Sequence, residues 1–121
     1  MTFAGHRAER VAEEIRNEIS LMLAGELKDP RLALPLSVTE VRLGPGMRTV
    51  RVFVRLEGEA AERAAALKGL MAAAGYIRHE LVERLQLRRA PEVMFHADES
   101  EMVGQHIEDL LRKARDEAEK Q

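Results

Sequence analysis

The sequence predicts an α+β fold in which helices pack on one face of a three-stranded sheet. Three observations predict it. The chain opens with a long stretch of apolar residues at helical spacing, two β-branched runs follow around Gly44-Pro45-Gly46, and a short alternating run at 92–97 separates two further helical stretches. A chain of 121 residues suits one domain, 1–121, with one core. Composition, at 45% hydrophobic and 33% charged, excludes a disordered chain, and no apolar run approaches the roughly 20 residues that span a bilayer. The absence of cysteine and the early charge of the N-terminus point to a cytoplasmic protein without membrane contact.

The first helix is expected from about His6 to Leu27, where Ala8, Val11, Ala12, Ile15, Ile19, Met22 and Leu23 fall within an arc of about 120°. Arg7 and Arg10 project outside that stripe with Glu14 and Glu18 nearby. Two readings stand for them: intrahelical pairs such as Arg10 with Glu14, or contacts to an anionic partner. Pro30 then forbids helix and restricts Asp29, which leaves a basic loop carrying Lys28 and Arg31.

Leu36–Leu43 and 47–56 are predicted to form an antiparallel hairpin. In the second strand Val50, Val52, Val54 and Leu56 alternate with Thr49, Arg51, Phe53 and Arg55, so one face is core and the other half-polar. Val38 and Val41 stand three apart instead of two, which predicts a β-bulge at Thr39-Glu40. Arg51 and Arg55 form either a basic stripe or, as is commoner, a solvated face paired with neighbours such as Glu40.

Residues 60–74 are alanine-dense and helical, and Gly75 costs about 1 kcal/mol relative to alanine inside a helix, so a kink into a second helix is expected there. Beyond it Ile77, Leu81, Val82 and Leu85 define an apolar arc into which wheel arithmetic puts Arg78. Such an arginine either snorkels out or turns towards a groove at the kink where a phosphate pairs with it. Arg88 and Arg89 supply a basic exit, and Pro91 fits the first position of a short third strand. Asp98 or Ser100 caps a last helix whose Met102, Val103, His106, Ile107, Leu110, Leu111 and Ala114 fill one broad face, with 116–121 as a frayed tail.

The net charge of −2 is unevenly placed. Residues 1–98 carry 15 basic against 14 acidic side chains, and residues 99–121 carry 4 against 7, so the body is neutral and the last helix acidic. The four histidines stand too far apart for a local metal motif, and no phosphate loop, nucleophile elbow or paired acid and base is visible. The pattern reads as a binding protein without cofactor or metal, not as an enzyme.

The element order, helix, strand, strand, helix, kinked helix, strand, matches the type II KH arrangement of RNA-binding domains, with a C-terminal helix added. Arg10-Val11-Ala12, Asp29-Pro30-Arg31-Leu32, Ala73-Ala74-Gly75-Tyr76-Ile77-Arg78, Leu87-Arg88, Pro91-Glu92 and Phe95 with Asp98 and Ser100 together make the chain resemble the ribosome-binding factor A family over nearly its whole length. KH domains generally clamp nucleotide backbone with Gly-x-x-Gly. That motif is missing here, and the family it resembles has an Ala-x-Gly kink instead, which is Ala73-Ala74-Gly75 in this sequence. The resemblance implies an assembly factor of the small (30S) ribosomal subunit, bound to 16S ribosomal RNA near the decoding region. It also implies support of late maturation and 5′-end processing, release by an assembly GTPase, a link to cold adaptation, and a monomer off the ribosome. Carried onto this chain, it makes Ala73, Ala74, Gly75, Arg78, Arg88, Arg89, Lys28 and Arg31 candidate RNA contacts, with Arg7 and Arg10 after them. The competing reading is a small protein-interaction module that uses the hairpin edge or the acidic helix.

Overall fold

The computed structural model of the chain describes residues 2–119, with side chains for residues 7–99 and 106–119. Helix α1 (Thr2–Leu21) passes into a π-helical turn, Met22–Glu26, closed by a Leu27 N–H to Met22 carbonyl bond of 3.2 Å. A 3₁₀ turn at Pro30–Leu32 leads to strand β1 (Leu36–Leu43) and, through a second at Pro45–Met47, to β2 (Thr49–Leu56). Helix α2 (Ala60–Leu85), strand β3 (Glu92–Ala97) and helix α3 (Ser100–Glu119) complete the order.

The sheet is ordered β1-β2-β3, with β1 antiparallel and β3 parallel to β2. The expected bulge is present: pairing shifts between Val38 and Glu40, so Thr39 is the extra residue. Its hydroxyl donates to the Asp98 carboxylate at 2.6 Å and lies 3.2 Å from the Phe53 carbonyl, which ties β1 to the end of β3. Asp98 is therefore engaged by the sheet, and the side chain of Ser100, the other expected cap, lies outside the described residues. The second strand begins at Thr49, not Met47. Gly46 (φ 65°) and Met47 (φ 55°) are both left-handed, and Met47 is drawn into the turn that the Gly44 N–H to Thr49 carbonyl bond closes.

One face of the sheet carries the core. Val50, Val52 and Val54 of the central strand are fully buried beneath Ile15, Ile19 and Met22 of the α1 segment and Ala66, Leu70, Ile77 and Leu81 of α2. The two helices expected to meet at Gly75 are instead one uninterrupted helix of 26 residues. The roughly 1 kcal/mol cost of a glycine is smaller than the gain from burying Leu70, Ile77 and Leu81, about 1.5–3 kcal/mol each, on one face of a continuous helix. The helix ends at Gln86, which takes the left-handed conformation (φ 54°), while the Leu87 N–H bonds the Val82 carbonyl.

The last helix carries its broad apolar face largely in solvent where side chains are described. Ile107, Leu110 and Leu111 are all more than half exposed and His106 is exposed, so this face does not join the core. Met102 and Val103 have side chains outside the described residues.

A polar clasp holds the α1 segment against the end of α2. The Arg84 guanidinium reaches Glu18 at 3.2 Å, Glu26 at 2.7 Å and Glu80 at 3.0 Å. Hydrogen bonds to Glu26, then Glu18 and Glu80, hold its pKa above the usual arginine range. Replacing Arg84 with methionine leaves three carboxylates facing one another. Arg84→Met is expected to lower the urea midpoint more than any one of Glu18→Gln, Glu26→Gln or Glu80→Gln, each of which removes one arm. Equal effects would show that the cluster does not act as a unit.

Candidate nucleic-acid interface

Helix α2 buries Ala66, Leu70, Ile77 and Leu81, so at 100° per residue Gly75 falls on the opposite side. Gly75 is exposed, and a Cβ built on it meets nothing within 4 Å. Met71 and Ala72, one turn before it, and Arg78 and His79, one turn after, are its neighbours on the same face, with Lys68 a further turn back. All five are exposed. The result is a strip where helix backbone is accessible between cationic side chains and an apolar Met71. Ala73 and Ala74 are half-buried and sit towards the sheet side. Gly75 thus lies open on the surface of a continuous helix.

Arg78 is fully outside the core. The buried side of α2 is centred on Leu70 and Ile77, and Val82 and Leu85 are only half-buried at its border, so Arg78 emerges at the edge without snorkelling. It has no ion-pair partner among the described residues.

The segment between α1 and β1 runs along α2 in the opposite direction. Glu26 lies beside Arg84 and, at 3.5 Å, the Tyr76 hydroxyl, while Asp29 and Arg31 lie at Gly69. Glycine suits that approach: a Cβ at position 69 would stand 3.2 Å from Asp29 Oδ2 and from Leu32 Cδ2, so the turn would have to give by a few tenths of an ångström. Lys28 falls between these two anchors in the chain and is exposed. Burial, followed by the charges of Glu26 and Glu80, pushes the Tyr76 hydroxyl up, which keeps it a neutral donor.

Arg31 is less available than the sequence suggests. Its guanidinium grips Asp29 with Nε at 3.0 Å and Nη2 at 2.6 Å, and its backbone N–H donates to Asp29 Oδ1 at 2.9 Å. The side-chain hydrogen bond from Arg31 is the main cause holding the Asp29 carboxyl below the usual range, and the same bond raises Arg31. The loop's charge is therefore partly neutralised, and Lys28 is its open cation.

Arg88 and Arg89 form a second group at the C-terminal end of α2. Arg88 and Arg89 are exposed in the loop to β3, and the Glu92 N–H bonds the Arg48 carbonyl at 2.8 Å, which brings exposed Arg48 to the same end of the sheet. Arg7 and Arg10 are exposed on α1, roughly 17 and 12 Å along the helix axis from Glu18, which touches Arg84 at this end. Arg10 does not pair with Glu14; the pair shown nearby is Arg16 with Glu13 at 3.6 Å. Of the ten sequence candidates the structure thus brings Arg78 beside Gly75 and keeps Arg88 with Arg89, while Ala73 and Ala74 face the sheet side, Arg31 is held by Asp29, Lys28 is exposed in its loop, and Arg7 and Arg10 stand apart on α1. Sequence reading missed Lys68, His79 and Met71 beside Gly75, although their spacing of seven, four and four residues from it carried the signal. Among the described residues no group of His, Cys, Asp or Glu could hold a metal ion, and no helix is long and apolar enough to cross a membrane.

The profile of the family described as Ribosome-binding factor A matches residues 7–111. A ribosome-binding factor A of Koribacter versatilis (strain Ellin345) is 45% identical over 108 residues, covering 89% of this chain and 87% of its own. The crystal structure of ribosome-binding factor A from Thermus thermophilus superposes with a TM-score of 0.65 at 27% identity, over 74% of this chain and 94% of that one. A Thermus thermophilus ribosome-binding factor A fitted into an electron cryo-microscopy map of its complex with the 30S particle gives a TM-score of 0.50 at 28% identity, over 71% of this chain and 93% of that one.

The two central glycines of α2 should respond oppositely to substitution. Gly75→Ala is expected to raise stability by about 0.5–1 kcal/mol, since the new methyl meets nothing and the helix gains propensity. Gly69→Val is expected to cost about 1–3 kcal/mol, because the Asp29–Leu32 turn must move. Urea unfolding of both variants checks the assignment of the two faces, and shifts of the same sign would refute it.

Proposed function

The chain belongs to the ribosome-binding factor A family, and from that premise we propose that it is a non-catalytic assembly factor of the small ribosomal subunit. On this reading it binds 16S ribosomal RNA near the decoding region and supports late maturation and 5′-end processing in the cytoplasm. It acts as a monomer off the ribosome, is released by an assembly GTPase, and contributes to growth in the cold. The observation that carries the RNA contact is the open strip at Gly75, where a phosphate backbone can approach the helix without meeting a side chain and finds Arg78, His79 and Lys68 around it. Affinity then comes mainly from phosphate contacts, and specificity from the shape of a partly assembled ribosomal site. The Thermus relative seen with the 30S particle supports the choice of partner. Tyr76 is the one tyrosine, phenylalanine or tryptophan beside the strip and is turned to Glu26, so its ring adds little to base stacking on this face.

A second reading, contact with protein, is favoured by one observation, the exposed Ile107, Leu110 and Leu111 of α3. In an acidic segment such a stripe suits a protein surface better than RNA. The two readings differ in their salt dependence.

Co-sedimentation of the chain with small subunits, mature and immature, across a salt series separates them. Phosphate-driven binding should fall steeply, with log K losing about 0.7–0.9 per phosphate contact for each decade of salt. Arg78→Glu combined with Arg88→Glu and Arg89→Glu should abolish it. Binding that ignores salt and survives charge reversal would replace the RNA reading with the protein one.

A further inference from the structure

The sheet has a second face, turned away from α1 and α2. Three strands place side chains on it in register: Glu40, Phe53 and His96 form one row, and Arg42, Arg51 and Met94 the next. The Phe53 and His96 rings stack with centroids 5.4 Å apart and planes 29° from parallel. The Arg42 guanidinium lies 5.2 Å from the centre of the Phe53 ring. Because β2 is the central strand, imidazole and guanidinium flank Phe53 from opposite sides, and the row crosses all three strands. His96 ends the row on β3 and is exposed.

The neighbouring row carries an electrostatic cost. Arg42 and Arg51 are direct partners in the antiparallel ladder, and like charges in that position repel. Glu40 pairs with Arg42 at 2.8 Å, a solvent-exposed pair that adds little, and Arg51 has no ion-pair partner among the described residues. The fold does not require either guanidinium, since both side chains stand outside the core. An anion placed between them would turn the repulsion into attraction, and a flat ring could extend the stack from the His96 side. A nucleotide offers both a phosphate and a planar ring, on a scale comparable to the strand spacing of about 5 Å. An acidic peptide would answer the arginines and leave the stacked row unused.

We propose that this open sheet face is a second RNA-contacting surface, in which a phosphate of a single-stranded segment bridges Arg42 and Arg51 and an adjacent base stacks on His96. The inference rests on the reading that the chain binds ribosomal RNA, and it adds a surface on the other side of the sheet from α2. Stacking requires an unpaired base, so this face takes single strands, whereas the Gly75 strip takes backbone.

Binding of a fluorescein-labelled oligoadenylate of about ten nucleotides to the full chain tests it, with Arg51→Glu and His96→Ala as variants at exposed positions whose folding is checked by thermal unfolding. Arg51→Glu is expected to weaken binding about tenfold at low salt and to flatten the salt dependence. His96→Ala is expected to weaken it about fivefold or more with the salt dependence unchanged, the signature of a lost stack. Amide shifts on titration should appear in β2 and β3. Wild-type affinity in both variants, or shifts confined to residues 68–79, would overturn the proposal, and so would a loss in Arg51→Glu unaccompanied by any loss in His96→Ala. If the oligonucleotide binds the sheet face but the wild-type chain does not sediment with small subunits, the ribosomal reading fails and the surface stands. If the chain sediments normally while both variants bind RNA as wild type, the surface alone fails.

Discussion

The rotation of α2 about its own axis fixes what this protein can present to a partner. Ala66, Leu70, Ile77 and Leu81 are fully buried on one side of a helix about 39 Å long, and they meet a sheet whose central valines are fully buried as well. Turning the helix by one residue would carry Arg78 towards the core and lift Ile77 and Leu81 out of it. Loss of buried aliphatic surface and the desolvation of an unpaired guanidinium would each cost a few kcal/mol. With that rotation set, Gly75 looks outward, Gly69 looks towards the Asp29–Arg31 turn, and the cations beside Gly75 stay in water. The accessible strip follows from core packing on the far side of the same helix.

Polar contacts then position what lies beside the strip. Arg84 draws Glu18, Glu26 and Glu80 together, so the end of α1 and its π-helical turn are held at the last turns of α2. The Asp29–Arg31 grip makes a rigid corner that seats on Gly69. Lys28 lies in the chain between these anchors and is exposed. Two arginines that look alike in sequence to Arg78, namely Arg31 and Arg84, are spent on architecture. The sheet separates this surface from a second one, where Phe53, His96, Arg42 and Arg51 stand on strands whose other side is core.

Much of this is legible in the sequence. Helical and alternating periodicities mark the three strands and the helix between the second and third, and the bulge at Thr39 follows because Val38 and Val41 could not both face the core otherwise. The expected kink fails because a glycine's local propensity takes no account of the apolar face that continues across it at Leu70 and Ile77. The end of α2 carries no glycine signal, because a left-handed Gln86 closes the helix here. The α3 stripe reads as one broad apolar face in sequence, and Ile107, Leu110 and Leu111 of it are exposed; periodicity reports an apolar face but not what covers it. In the same way Arg31, Arg78 and Arg84 are indistinguishable until the groups that surround each of them in the fold are brought alongside.

The lack of cysteine makes one measurement especially direct. A single cysteine introduced at His79, on the strip beside Gly75, can carry a tethered iron probe that cleaves nearby RNA when the chain is bound to small subunits. If α2 presents its outer face to ribosomal RNA, the 16S strand is cut at a confined set of nucleotides from position 79, and cutting is weaker from a cysteine at Glu108 on α3. Strong cutting from position 108 with none from position 79 would contradict the account, because it would place the acidic helix and not the Gly75 strip against the subunit.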